Sequence, residues 1–419
     1  MENKHTRIFI ATIGTFLEWA EFTYYAYIST EIAVLFFPNL NTHLALIATF
    51  SVFAFGYFFR PLGGILFGYV GDTFGRRLAL QSSMMLMGVS SIAMGCLPTY
   101  TQIGIAAPIL LLVCRSIQSL AVSGEFNGSA IYLIEHDPKK PCLAGSWTAF
   151  SAAFGMMFGS LMSALIHLPA MPAWAWRSPF LLGALSCFCA LYFRKHLSES
   201  PAYLSIHQQK RLNPLSNLLK NHWLPMIKAI FLIASIGVWL YIMSVYYTSH
   251  LAQYSTLSTT QARLAITFGQ GLVVLFIAII ARFADHFDEK YIFTLGLKGF
   301  FIAAPLAYIV PASNSFSLIL LAQIAYALCD ALVSVPLFKI INDMFPVQVR
   351  YSGISIAWGV SMALFGGTAP LVAKYLQHVF NNPVAPAFYI MLTAGIALLV
   401  LPKENNDTLN APIIGLDAV

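Results

Sequence analysis

Charged and aromatic side chains that could handle protons or a charged solute lie inside otherwise apolar runs of the sequence. Glu18, Glu21 and Tyr25 are three and four residues apart, a spacing that places them on one face of a helix. An ionisable group is costly in hydrocarbon, so it normally faces a cavity or a partner. The pattern therefore predicts a polar central cavity. Its candidate residues for solute binding and proton coupling are Glu18, Glu21, Tyr25, Arg60, Arg115, Gln118, Glu125, Trp239, Tyr246 and Asp330.

These side chains suit different chemistries. Two carboxylates on one buried face, Glu18 and Glu21, disfavour double ionisation, so one of them can hold a proton. The guanidinium groups of Arg60 and Arg115 suit a solute carboxylate, which they can bind through two parallel hydrogen bonds. Aromatic side chains such as Trp239 suit a quaternary ammonium group. We expect a carboxylate or zwitterionic solute. The alternative is that the charged groups form buried ion pairs that only hold helices in register.

The composition indicates which elements must carry these residues. Of the 419 residues, 58% are hydrophobic and 10% are charged, whereas soluble proteins average about 25% charged residues. A membrane-spanning helix needs about 20 mainly apolar residues, and the apolar runs are too long for barrel strands. The sequence thus predicts an all-α membrane protein with twelve transmembrane helices. They are expected to begin near Phe9, Leu46, Leu78, Ile105, Ser146, Ser178, Pro225, Arg263, Tyr291, Leu318, Gly353 and Ala387.

A polar stretch at 194–222 divides these spans into two groups of six. We therefore expect an N-terminal six-helix bundle at 1–200, a cytoplasmic linker at 201–222 and a C-terminal six-helix bundle at 223–419. The loop GYVGDTFGRR at 68–77 has a degraded counterpart, ARFADHFDEK, at 281–290. This repeat predicts that the two halves are pseudo-symmetric.

The first of these loops carries the features of a conformational switch. Its glycines, Gly68 and Gly75 among them, allow a tight turn, and Arg76 and Arg77 are expected to anchor that turn at the lipid surface. The Asp72 carboxylate could bond a neighbouring helix amino terminus or a base in one state and lose those bonds in another. The alternative is a simple helix cap. The predicted switch residues are Gly68, Asp72, Gly75, Arg76, Arg77 and Asp285.

Basic residues predict the orientation, because they concentrate in cytoplasmic loops. If the amino terminus is inside, most lysines and arginines, including Arg194, fall in cytoplasmic loops. Only Arg177, Arg263 and Lys374 then lie near the opposite face. Both termini are therefore expected in the cytoplasm of a bacterium, with the chain in the inner membrane. The formal charge of +6 reflects this loop bias and predicts contact with lipid rather than with nucleic acid.

Several strings resemble the major facilitator superfamily. The loop at 68–77 matches its signature G-x-x-x-D-x-x-G-R-R. GTFLEWAEFTYY, RPLGGILFGYVGD, CRSIQSLAVSGEF, WRSPFLLG, ESPAY and MFPVQVRYSG are similar to its metabolite:proton symporter branch, which includes proline/betaine, citrate and α-ketoglutarate permeases. The resemblance implies proton-coupled uptake of a small polar metabolite by alternating access. The chain departs from the branch pattern at Thr15, Glu21, Ser119, Ser123 and Asp343.

Other chemistry has no motif in the sequence. A phosphate-binding G-x-x-x-x-G-K-[ST] loop is absent, and so are H-E-x-x-H and paired C-x-x-C motifs. We therefore expect no enzyme activity, no cofactor and no metal. The expected partners are a small-molecule substrate, protons and the lipid bilayer, without an obligate protein partner. Alternatives are a proton-driven exporter or uniporter of the same fold and, less favoured, a non-transporting membrane sensor.

The predicted topology can be tested with reporters. A reporter fused after Val419 or inserted near Gln208 should be active in the cytoplasm, because both sites follow an even number of crossings. One inserted near Ser258 should report from the outside. Reporter enzyme activity in intact cells measures this, and periplasmic activity at either of the first two sites contradicts the topology.

Overall fold

The computed structural model describes residues 4–166, 171–195, 197–206 and 213–402, and within them the chain is helical with no strand. The all-α prediction is confirmed. Nine helices in this part of the chain are long and apolar enough to cross a membrane. The twelve spans are span 1, Lys4–Tyr27; span 2, Thr42–Tyr57 with Arg60–Thr73; span 3, Arg76–Cys96; span 4, Ala106–His136; span 5, Pro141–Ile166; span 6, Ser178–Arg194; span 7, Trp223–Tyr241 with Ile242–Tyr246 and Tyr247–Tyr254; span 8, Thr259–Ala284; span 9, Glu289–Ile309; span 10, Phe316–Asp343; span 11, Arg350–Ser361 with Met362–Gly366 and Ala369–Phe380; and span 12, Ala385–Val400.

Short helices connect or extend the spans. They are Ser29–Phe36, Tyr100–Ile103, Pro201–Ile206 and Pro214–Asn221, with 3₁₀ turns at Ala175–Arg177 and Val310–Ser313. The expected linker at 201–222 contains two of these helices, and 207–212 between them lies outside the described residues. The reporter sites Gln208 and Val419 lie outside them as well. We refer to spans 1–6 as the N half and to spans 7–12 as the C half.

The spans begin close to their predicted starts. The largest differences are at spans 1 and 5, expected from Phe9 and Ser146 and observed from Lys4 and Pro141. A polar side chain that caps the first turn can begin a helix ahead of its apolar run. Span 8, for example, begins with a capping box in which Ser258 and Gln261 each satisfy a backbone N–H of the other.

Spans 7 and 11 each contain a π-helical segment, at Ile242–Tyr246 and Met362–Gly366. The two spans pack against each other. The Met362 side chain and the Tyr241 ring fill the space that a side chain at Gly366 would occupy. A π segment carries one extra residue per turn and is frequent at functional sites. Both segments lie within the C half.

The halves pack through two equivalent pairs of helices. Span 2 packs on span 11, and span 5 packs on span 8, as expected for a pseudo-two-fold arrangement. Small residues allow close approach, as in other membrane bundles. Gly64 of span 2 faces the backbone of Ser355 in span 11. A Cβ atom added at Gly64 would lie 2.5 Å from the Ser355 carbonyl oxygen, which leaves no room for a side chain. We call the end of the bundle that carries the loops at 68–77 and 281–290 the signature end.

A Gly-x-x-x-Gly pair fixes span 5 against span 1. The Cα hydrogens of Gly155 and Gly159 face the carbonyl oxygens of Phe16 and Ala20, and a Cβ at either glycine would overlap that oxygen. The contact therefore has no room for even a methyl group.

Gly159→Ala should destabilise the protein by about 1–3 kcal/mol, because the added methyl group forces the backbones of spans 1 and 5 apart. Gly271→Ala in span 8 is the matched control, since an ideal Cβ there has no neighbour within 4 Å. Thermal unfolding in detergent measures both. Equal melting temperatures for Gly159→Ala and the wild type would show that the two spans are not in tight contact.

Candidate functional site

Glu21 lies in a buried polar network of the N half. Its side chain is 3% exposed, and its Oε2 accepts hydrogen bonds from Ser91 Oγ at 2.6 Å and from Gln118 Nε2 at 3.1 Å. Gln118 Oε1 in turn accepts from Arg115 Nη1 at 2.8 Å, and the Arg115 guanidinium lies 4.2 Å from the centre of the Tyr25 ring. We call Glu21, Ser91, Gln118, Arg115 and Tyr25 the Glu21 cluster. The structure thus brings Glu21 and Tyr25 of span 1 together with Arg115 and Gln118 of span 4, whereas Glu18 and Glu125 lie outside this cluster.

Ser91 is the member of this cluster that the sequence did not indicate. It lies in span 3, and a serine in an apolar helix more often bonds its own backbone. Gly183 of span 6 completes the enclosure, because its missing side chain leaves room for the Glu21 carboxylate.

A second group of polar residues lies where the halves meet. The Arg60 guanidinium lies 4.3 Å from the centre of the Tyr57 ring, and Tyr57 donates a hydrogen bond to the Tyr241 hydroxyl at 2.6 Å. This bond joins span 2 to span 7, and so the N half to the C half. Among the cations, Arg60 has the strongest electrostatic attraction to the Glu18 carboxylate. The Oε2 atom of Glu18 is buried and has no hydrogen-bond partner among the described residues. We call Glu18, Tyr57, Arg60 and Tyr241 the interface cluster.

Aromatic rings from both halves pack together in the interior of the bundle. Phe126 contacts Trp358 and Phe338 with ring centroids 4.8 and 5.3 Å apart, and Trp19 lies 5.7 Å from Phe126. The rings come from spans 1, 4, 10 and 11, and therefore from both halves. These contacts join the two halves through apolar packing.

Glu125, a predicted cavity residue, forms a buried ion pair with Arg194. Arg194 donates to both carboxylate oxygens, at 2.5 and 2.7 Å, and also to the carbonyl oxygens of Ile10, Ala11 and Leu80. The placement of Arg194 in a cytoplasmic loop is wrong, because its side chain is 0% exposed. A guanidinium with a bidentate carboxylate and three carbonyl acceptors can stay buried, since each of its donors is satisfied.

Asp72 caps a helix of the opposite half at the signature end. Its carboxylate accepts hydrogen bonds from the backbone N–H groups of Tyr351 at 3.1 Å and Ser352 at 2.8 Å, both in the first turn of span 11. Asp285 occupies the equivalent position in the C half. It accepts from the N–H groups of Cys142 at 2.8 Å and Leu143 at 3.0 Å, in the first turn of span 5.

Arg76 lies at the centre of a buried ionic network beside Asp72. It donates to Asp72 at 3.0 Å, to both oxygens of Glu135 at 3.2 and 3.3 Å, and to the carbonyl of Val347 in the C half at 2.8 Å. Arg350 of span 11 also donates to Glu135, at 3.0 Å. The prediction that Arg76 anchors the loop at the lipid surface is wrong, because its side chain is fully buried. Arg77 lies nearer the surface and donates to the carbonyl of Lys195.

Local geometry explains why glycine occupies two positions of the signature loop. Gly75 adopts a φ of 113°, which favours glycine, and its position would bring a Cβ onto the Glu199 carboxylate. Glu199 accepts hydrogen bonds from the N–H groups of Arg76 and Arg77 and so caps span 3. Gly68 packs against Ser352. Glu135, Glu199 and Arg350 were not predicted; Glu199 and Arg350 lie in the strings ESPAY and MFPVQVRYSG.

The predicted residues of the C half lie apart from these clusters. Trp239 is fully buried, with Phe300 stacked on its ring at 4.1 Å between centroids and Tyr326 at 5.4 Å. It therefore offers no free ring face to a cation in this conformation. Tyr246 donates to Gln377 Oε1 of span 11, and Asp330 Oδ1 accepts from Ser334 at 3.0 Å. Among the described residues, no group of His, Cys, Asp and Glu could hold a metal ion.

The Arg194–Glu125 pair predicts a strong effect on stability. Arg194→Met should cost about 3–5 kcal/mol, because it leaves the Glu125 carboxylate buried without its partner. The double variant with Glu125→Leu should recover part of that loss, since the unpaired charge is gone. Lys195→Met is the control, because Lys195 is exposed. Unfolding in detergent measures all four proteins, and a double variant no more stable than Arg194→Met contradicts the buried pair.

Comparison with known proteins gives consistent matches. The family model described as "Sugar (and other) transporter" matches residues 7–223. The chain is 30% identical over 427 residues to the glycine betaine/proline/ectoine/pipecolic acid transporter OusA of Dickeya dadantii. That match covers 97% of this chain and 84% of OusA. The chain is 29% identical to the proline/betaine transporter of Escherichia coli, with the same coverage. A structure of the proton:xylose symporter XylE superimposes with a TM-score of 0.78 at 17% identity, covering 95% of this chain and 94% of that one.

Proposed function

Because the chain belongs to the sugar (and other) transporter family of the major facilitator superfamily, we propose that it carries out proton-coupled uptake of a proline- or betaine-like zwitterion by alternating access. It is a multi-pass membrane transporter and not an enzyme. Its proposed site is the inner membrane of a bacterium, with both termini in the cytoplasm and the signature end facing inward. The Glu21 cluster is the observation that carries the proposal.

The cluster links a proton site to an anion site through one side chain. Gln118 donates to Glu21 and accepts from Arg115, so the carboxylate and the guanidinium are coupled through its amide. A solute carboxylate that takes the Arg115 donors competes with Gln118 for them. Gln118 then turns, and Glu21 loses a donor that stabilises its ionised form. Solute binding and proton binding at Glu21 thus favour each other, which is the linkage that symport requires.

The interface cluster supports a zwitterionic solute. Glu18 Oε2 lacks a hydrogen-bond partner among the described residues and is buried beside Arg60, so the cluster offers one carboxylate and one guanidinium. Proline and glycine betaine, named for OusA, each carry one carboxylate and one cationic nitrogen. Such a solute can neutralise both ends of the cluster without a net charge in the membrane.

The signature end supports alternating access. Asp72, Arg76 and Asp285 all bond the opposite half there, whereas Tyr57 and Tyr241 make a single bond between the halves near the interface cluster. With the signature end inside, this conformation is closed toward the cytoplasm. Release of the solute inward requires the bonds of Asp72 and Asp285 to break, so these residues favour the outward-facing state.

The proposal predicts separate effects on coupling and on exchange. In reconstituted vesicles with an imposed inward proton gradient, the wild type should accumulate proline or glycine betaine. Glu21→Gln should still exchange solute but should not accumulate it, because the amide cannot bind and release a proton. Glu31→Gln, in the short helix Ser29–Phe36, is the control for loss of a carboxylate elsewhere.

Each alternative function gives a different result in the same vesicles. Full accumulation by well-folded Glu21→Gln removes Glu21 from the proton site. Uptake restricted to dicarboxylates or tricarboxylates contradicts the zwitterion. Downhill flux without accumulation indicates a uniporter, proton-driven flux in the opposite direction an exporter, and binding without flux a sensor.

A further inference from the structure

Asp330 is a membrane-buried carboxylate in the C half that the coupling of the Glu21 cluster does not use. It lies near the middle of span 10 and is 3% exposed. Its Oδ1 accepts one hydrogen bond, from Ser334 on the next turn, and its Oδ2 has no hydrogen-bond partner among the described residues. No ion pair to Asp330 occurs in that part of the chain either. An ionised carboxylate with one hydroxyl donor and no counter-ion is costly in hydrocarbon.

The surroundings of Asp330 favour a proton over a cationic solute group. Two titratable groups, Tyr326 and Cys329, interact electrostatically with the Asp330 carboxylate. Both lie on span 10, and both are neutral. Span 10 also packs against spans 4, 5, 7, 8, 9 and 11, but no charged residue of these spans acts on Asp330 in the described part of the chain. The nearest aromatic wall, Trp239, has its ring covered by Phe300 and Tyr326. A quaternary ammonium group would find no free face there.

A polar stripe leads from Asp330 away from the signature end. Gln323, Asp330 and Ser334 are seven and four residues apart, so they share one face of span 10. Gln323 Nε2 and Gln270 Oε1 of span 8 are buried and have no hydrogen-bond partner among the residues that the structure describes. Gly269 faces the Gln323 amide, and its lack of a side chain leaves the space that the amide fills. Buried amides of this kind are the groups that internal water molecules bridge.

We propose that Asp330 is a second proton-binding group, loaded through the Gln323 side of span 10 and emptied on the opposite side during each transport cycle. This inference rests on the proposed symport, and it assigns the C half a proton of its own. The N half then carries one proton on Glu21 and the C half another on Asp330. Only the Glu21 proton is linked to the solute through Gln118 and Arg115. Removal of Asp330 therefore leaves one coupled proton, whereas removal of Glu21 uncouples transport.

The test is the number of protons per solute, measured in vesicles from the solute gradient that a known proton gradient sustains. The wild type should give about two protons per solute, and Asp330→Asn about one, because an amide cannot carry the proton. Asp330→Glu should restore a value near the wild type. Asp343→Asn, at the exposed end of the same span, is the matched control and should leave the ratio unchanged.

A structural role for Asp330 gives a different result. If Asp330 stays protonated throughout the cycle, Asn imitates it and the ratio of Asp330→Asn equals that of the wild type, which overturns the proposal. A wild-type ratio of about one overturns it as well.

Infrared difference spectra between high and low pH give a second readout: Asp330→Asn should lose a protonated-carboxyl band that Asp343→Asn retains. Solute exchange without a gradient shows that each variant is folded. Absence of proton-driven accumulation in the wild type itself would be the failure of the proposed symport, a distinct outcome.

Discussion

The hydrogen bonds from the first turn of span 11 to the Asp72 carboxylate join the two halves at the signature end, and any opening between the halves there must break them. The first N–H groups of a helix have no partner within the helix, and its amino terminus attracts negative charge. Here both needs are met by a side chain of the other half. Separation of the halves at this end therefore leaves two N–H groups unpaired and removes two hydrogen bonds from the carboxylate. A few such bonds can decide between two states of similar free energy.

The two copies of this contact are not equal. Asp72 has Arg76 beside it, and Arg76 ties in Glu135 and, through it, Arg350. At the equivalent of Arg76 the second copy has Glu289, which pairs with Lys339 of span 10 within the C half. In the described part of the chain, Asp285 caps span 5 and accepts no hydrogen bond from a guanidinium of its own loop. The N-half loop holds the halves together with charge and helix capping, whereas the C-half loop does so with capping alone.

The sequence predicts the helices of this protein better than the partners of their charged residues. Apolar runs fix the spans, and helical spacing gives the face of span 4 that carries Arg115 and Gln118. The structure then shows that Glu21 of span 1 meets this face. Spacing gives the face of a helix but not what that face meets. Arg194 is the clearest case, because an arginine at the end of a span has the same sequence pattern whether it reaches lipid headgroups or a buried glutamate.

Residues that act through a bond to another span had no signal of their own. The Tyr57–Tyr241 bond joins residues 184 positions apart, and neither lies on a stripe of charged residues. Ser91 is one of several serines in span 3 and differs from them only in facing Glu21. Such partners follow from the packing of helices, which one sequence does not determine.

The π segment of span 7 separates two residues that the sequence pattern had placed together. Trp239 and Tyr246 are seven residues apart and would share a face on a regular α-helix. The extra residue in the π turn rotates everything beyond it by about 100° relative to a regular helix. Trp239 accordingly packs against spans 9 and 10, while Tyr246 bonds span 11. Span 7 thus has two registers in one helix, and a return of Ile242–Tyr246 to α-helical winding would rotate Tyr247–Tyr254 about the helix axis relative to Trp223–Tyr241.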